Sequence, residues 1–179
     1  MKRILLLFLI IVSLTAVAQT ESLSYSKVYQ RPGFTKAQIY DAIREWVAVN
    51  FVNGKAVTQM ENQETATVIL KCSHLVSKGG FYKGFSGEVS YTIKLQAKDG
   101  RFRVEMSNMY HKNDVEYSSE YNLGLLTTAP KYQDGGGMGG NMRNHMWKEI
   151  KNDMYSDFID LSSMLYSVKP SNETTEEDW

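Results

Sequence analysis

The stretch Val89–Met106, VSYTIKLQAKDGRFRVEM, leaves the chain few choices of fold. Asp99-Gly100 is a two-residue turn signal of the primed type, which needs positive φ at both positions. Folding about it sets Ala97 opposite Phe102, Leu95 opposite Val104 and Ile93 opposite Met106. Val89, Tyr91, Ile93, Leu95 and Ala97 then share a face with Phe102, Val104 and Met106. The other face carries Lys94 opposite Glu105, Gln96 opposite Arg103 and Thr92 opposite Ser107. Period-2 alternation on both arms is the mark of a half-buried antiparallel hairpin. A cross-strand pair such as Lys94–Glu105 contributes about 0.5 kcal/mol, less in salt. The cations of this stretch are therefore the wet face of a sheet corner rather than a finger for nucleic acid, and Phe102 belongs to the core.

The N-terminus reads as an export signal. Met1-Lys2-Arg3 is followed by the apolar run Ile4–Val12 and by Ala16-Val17-Ala18, a small-x-small site for cleavage before Gln19. The run is shorter than the roughly 20 residues of a membrane-spanning helix, and no later segment is apolar enough to span. Removing Lys2 and Arg3 from 20 basic residues leaves 18 against 20 acidic ones. A chain this close to neutral has no bulk attraction for nucleic acid or an anionic membrane. Cys72 is the lone cysteine, lies in the apolar run Thr67–Leu75 and reads as a small core residue rather than a nucleophile.

In GFTKAQIYDAIREWVAVNF, Thr35 and Gln38 form a capping box, and Ile39, Ile43, Trp46 and Val47 recur at helical spacing. A strand over Ser22–Gln30 precedes this helix, and Asn53-Gly54 ends it. Ala56–Glu61 and Thr67–Leu75 read as a second hairpin. A long final helix follows Asn141, with Met146, Ile150, Met154, Phe158, Leu161 and Leu165 on one side, and Pro170 stops it. The order strand, helix, four or so antiparallel strands, helix implies an α+β domain over residues 19–168. Its curved antiparallel sheet has two helices packed on one face. The acidic end SNETTEEDW reads as a disordered tail.

The stretch KDGRFRVEM after an alternating strand, the capped helix from Tyr40 to Trp46 and the Ala18-Gln19 junction together resemble a known family. It is the family of bacterial exported domains of unknown function with a TATA-binding-protein-like fold. The resemblance covers Ser22–Met109 and reaches the last helix by position alone. It implies the fold, but neither an activity nor a site residue.

Motifs for chemistry are sparse. KGGFYKGF (Lys78–Phe85) reads as a glycine-hinged loop, and GGGMGG (Gly135–Gly140) as a linker, because no strand feeds it. His145 and Glu149, spaced i and i+4, form a surface pair without a third metal ligand nearby in sequence. No cofactor is implied. Two features point to binding: the segment 108–141 with Tyr110, Tyr117, Tyr121 and Tyr132, and the methionines of the last helix, whose thioethers suit an adaptable surface. The expectation is an exported, non-catalytic domain that binds an envelope protein or an apolar small molecule. The small-molecule site would use Met146, Ile150, Met154, Phe102, Tyr117 and Tyr121. The alternative is a small hydrolase-like enzyme with its site in the tyrosine-rich segment.

Overall fold

The structure, a computed structural model, describes residues 20–51, 54–114, 119–133 and 137–170. In chain order its elements are β1 (Tyr25–Gln30), α1 (Lys36–Asn50), a single turn α2 (Gly54–Val57), β2 (Thr58–Asn62) and β3 (Thr67–Val76). A 3-10 turn (Gly80–Phe85) leads to β4 (Gly87–Lys98) and β5 (Arg101–Asn113); β6 (Gly124–Leu125) and α3 (Gly137–Ser167) complete the fold. The sheet is antiparallel in the order β1-β5-β4-β3-β2, with β6 pairing the far end of β5.

The central hairpin has the register its alternation dictates: Ala97 faces Phe102, Leu95 faces Val104, Ile93 faces Met106 and Lys94 faces Glu105. Val68, Val89, Ile93, Leu95, Val104 and Met106 are fully buried on the inward face. The turn itself differs from expectation. Gly100 has φ +69°, but Asp99 is not among the residues with positive φ. Tertiary bonds account for the change: the Lys36 N–H donates to Asp99 Oδ1 at 2.7 Å, and the Gly100 N–H donates to the Phe34 carbonyl at 2.9 Å. The turn thus places a carboxylate on the first N–H of α1, where anions are favoured.

β5 also outruns its expected end. Thr92 pairs with Ser107 but Ser90 pairs with Tyr110, so β5 carries one extra residue, and Asn108 adopts φ +55° there. This bulge shifts the parity, and Met109, His111 and Asn113 become the inward residues. The alternation read from the sequence breaks at Ser107-Asn108, which is why residues 108–113 look like loop.

Thr35 caps α1 as expected. Its hydroxyl accepts the Gln38 N–H at 3.3 Å, and Gln38 Oε1 accepts the Thr35 N–H at 2.9 Å. Ile39, Ile43, Trp46 and Val47 are buried, while Asn53 lies outside the described residues. The helix α3 starts at Gly137, four residues before Asn141. Glycine disfavours a helix interior by about 1 kcal/mol relative to alanine, so the sequence signal fades across Gly137–Gly140. Both long helices contribute to one core with the inward face of the sheet, and no described helix covers the opposite face.

Candidate functional site

Met146, Ile150 and Met154 follow one another along α3 and are fully buried with Phe102, Val104 and Met106 in the core. Burying each such side chain contributes about 1.5–3 kcal/mol. Two surface clefts are described; neither is lined by Met146, Ile150 or Met154, and Phe102 touches one of them. In the structure these three side chains are part of the core. Tyr121 lies elsewhere, edge-on to Phe85 at 5.2 Å, and Tyr117 lies outside the described residues.

The described parts of the tyrosine-rich segment are tied down. Tyr132 packs edge-on against Trp147 at 5.5 Å, and Trp147 Nε1 donates to the Ala129 carbonyl at 3.0 Å. Lys151 Nζ donates to the Thr127 and Ala129 carbonyls at 2.8 and 3.0 Å, and burial lowers its pKa. Leu126 N–H donates to the Met109 carbonyl, and Tyr110 points to the uncovered face. Tyr110, Tyr121 and Tyr132 thus face different surroundings and form no common site among the described residues.

Ionisable groups do gather along one stripe of α3, at His145, Glu149, Asp153 and Asp157. Lys78 reaches across from the end of β3 to Glu149 at 2.6 Å and Asp153 at 3.2 Å. Burial lowers the Lys78 pKa, but the hydrogen bonds and charges of the two carboxylates outweigh it and leave the pKa raised. His74 Nδ1 lies 2.5 Å from Asp157 Oδ2. Burial raises the Asp157 pKa, and His74 opposes the shift. His145 pairs with Glu149 at 3.2 Å as the spacing suggested. These groups satisfy one another along the seam between helix and sheet, neither cleft is lined by them, and none forms a metal cluster among the described residues. The continuation of the His145–Glu149 spacing to Asp153 and Asp157 was a visible signal that sequence reading left unused. Cys72 is buried, and burial pushes its thiol up to about 11, which keeps it un-ionised.

The uncovered sheet face has a definite electrostatic character. The registers put Lys71, Lys94, Lys98, Arg101, Arg103 and Lys112 on it, with Glu88 and Glu105 as the only carboxylates on its described strands. Six cations against two anions is a strong local excess in a chain with 20 of each sign. Arg103 hydrogen-bonds Gln96 across the hairpin and lies 3.9 Å from Glu105. Among the described residues, Lys94, Lys98 and Arg101 form no ion pair. A cleft of about 250 Å³ opens at the turn end of this face, lined by Val28, Gln96, Lys98, Arg101, Phe102 and Arg103.

An open antiparallel sheet with two long helices packed on one face is the architecture of a domain of the TATA-binding-protein-like class. Residues 25–112 match the family described as "Domain of unknown function (DUF4468) with TBP-like fold", and the chain carries a domain of that family. A TBP-like protein from Parabacteroides distasonis has a similar crystal structure, with TM-score 0.52, 14% identity, and coverage of 83% of this chain and 95% of that one. So does a DUF4468 family protein from Bacteroides ovatus, with TM-score 0.50, 16% identity, and coverage of 85% and 90%. At these identities the likeness extends to the fold alone. No curated protein matches the chain.

Proposed function

We propose that this is an exported, non-catalytic binding domain that presents its uncovered sheet face to an acidic segment of an envelope protein. The observation that carries the reading is the cationic excess on a face that no described helix covers. Clustered charges of one sign draw the opposite sign and orient its approach, an effect that salt weakens. The complete burial of Met146, Ile150 and Met154 in the core favours this protein-partner reading over an apolar small molecule. Glu88 and Glu105 stand among the cations, which disfavours a phosphate backbone relative to a polypeptide with spaced carboxylates. No helix among the described residues is long and apolar enough to cross a membrane. The export part rests on the Ile4–Val12 run and the Ala18-Gln19 junction.

The test is calorimetric titration with poly-L-glutamate and, separately, with a DNA duplex matched in charge. The expected result is salt-sensitive binding of the polypeptide that disappears in Lys94→Glu/Arg103→Glu. Preferential binding of the duplex would overturn the protein-partner reading in favour of nucleic acid. A thermal-shift screen of fatty acids, sterols and quinones is expected to leave the melting temperature unchanged; a saturable rise would restore the small-molecule reading.

A further inference from the structure

We propose that the open edge of β1 takes an extended segment of an acidic partner protein as one more strand of the sheet. The segment's alternate side chains would be carboxylates toward Arg101 and Arg103 and apolar groups toward Tyr155 and Tyr166. The inference deepens the reading of the cationic face as a surface for acidic polypeptide, and it rests on that reading. β1 ends the strand order, and among the described residues no strand pairs with its other edge. The Arg31 N–H donates to the Gly100 carbonyl at 2.7 Å, which continues the β1–β5 register past Gln30. Backbone direction alternates along a strand, so Tyr25, Lys27 and Tyr29 turn their amides to β5. Ser26, Val28 and Gln30 turn theirs outward, a template for pairing with neither proline nor bulge. β2, at the other end of the sheet, is interrupted by a register shift between Thr58 and Met60.

The two flanks of this edge differ, and together they describe the segment. On the outer face Ser26, Val28 and Gln30 oppose Glu105, Arg103 and Arg101. Val28 is 49% exposed and lines the cleft that contains Arg101 and Arg103. Strands lie about 4.8 Å apart, so an added strand runs roughly 10 Å from β5. Long carboxylate side chains reach across the short side chains of Ser26 and Val28 to the guanidinium groups. On the inner face α3 runs along β1: Tyr25 packs edge-on against Tyr155 at 5.2 Å, and Tyr29 stacks on Tyr166 at 5.0 Å. Tyr155 and Tyr166 are nonetheless 53% and 44% exposed. They lie on one stripe of the helix, roughly 16 Å apart, a length that a strand covers in about five residues. Lys27 is exposed on the same strand. Pairing two copies through β1 would set both Lys27 side chains and both cationic faces side by side, so like charge selects an acidic partner instead.

The experiment titrates the full chain calorimetrically with short synthetic peptides. One peptide alternates Glu and Val; a block copy of the same composition puts all Glu before all Val. The alternating peptide is expected to bind at least tenfold more tightly than the block copy. Two further copies of it carry an N-methyl group on every Glu amide or on every Val amide. A strand turns only alternate amides to its neighbour, so one copy should lose at least tenfold in affinity and the other less than threefold. Equal losses, or none, would overturn strand addition. Val28→Pro removes an outward N–H that β5 does not use and should bring the alternating peptide down to the affinity of the block copy. An unchanged preference in this variant would overturn the inference too; if the variant unfolds, the N-methylated pair on wild type decides alone. Binding of poly-L-glutamate without preference for the alternating peptide would strike the edge inference and leave the face reading. No binding of any acidic probe would strike both. A dimer in sedimentation equilibrium that Val28→Pro dissolves would put a second copy at the edge and overturn the acidic partner.

Discussion

The Nε2 of His111 lies 3.0 Å from the carbonyl oxygen of Phe85, 26 positions away in sequence, while its Nδ1 accepts the Leu123 N–H at 3.2 Å. The Leu123 donor requires Nδ1 to be unprotonated, so Nε2 carries the proton and donates it to Phe85. A fully buried neutral imidazole thus joins β5, the 3-10 turn before β4 and the segment that returns along β5. Burial lowers its pKa from 6.5, with the Phe85 hydrogen bond opposing.

Acid should therefore find this site. Between its lowered folded pKa and 6.5, the unfolded chain binds a proton at His111 that the folded chain refuses. Stability from this group is present above pH 6.5 and is lost as pH falls toward the folded value. His111→Gln, which offers an N–H and a carbonyl on a similar frame, should flatten the fall in urea-unfolding stability below pH 6.5. An unchanged slope in the variant would assign the acid sensitivity to other groups. His111→Ala should cost about 2–4 kcal/mol, from a cavity and two orphaned polar partners.

Gly87 and Gly100 both have positive φ but should differ in what a side chain costs them. A Cβ at Gly100 would meet nothing nearer than the Arg31 carbonyl at 3.9 Å, so Gly100→Val costs about 1 kcal/mol or more through φ alone. A Cβ at Gly87 would lie 2.2 Å from the Lys112 carbonyl oxygen. Even Gly87→Ala should force the β4–β5 ladder apart, and its loss in denaturant midpoint should exceed that of Gly100→Val.

Met146→Leu/Met154→Leu should fold and keep its stability to within about 1.5 kcal/mol, because the volumes nearly match. Truncating Met154 to alanine instead should cost about 2–5 kcal/mol. Equilibrium unfolding measures both. A mild alanine variant beside a severe leucine pair would mean that the strip is loosely rather than fully packed.

Lys98→Ala and Arg101→Ala should leave stability within about 0.5 kcal/mol, since neither makes an ion pair among the described residues and both are exposed. Their effect should appear in poly-L-glutamate titrations as weaker binding and a shallower salt dependence. A loss of stability without a loss of binding would make these cations structural.

Local patterns were enough to define the hairpin register, the Thr35–Gln38 cap and the inward stripe of α3, because each depends on residues a few positions apart. The same short-range logic made Lys94, Gln96 and Arg103 outward-facing. It also assigned Cys72 to the core, where it is found. Five features required the assembled fold. The Asp99 turn is set by Lys36, 63 positions away, and the Asn108 bulge moves the remainder of β5 to the opposite parity. The tyrosine segment is held by the side chains of α3, and His111 acquires its tautomer from Leu123 and Phe85. The cationic face belongs to this second group too. Lys71, Lys94, Arg103 and Lys112 lie on three strands, and only the pairing of those strands brings their charges onto one surface. Hydrophobic alternation specifies which way each side chain points within its own strand; long-range hydrogen bonding decides which outward side chains become neighbours.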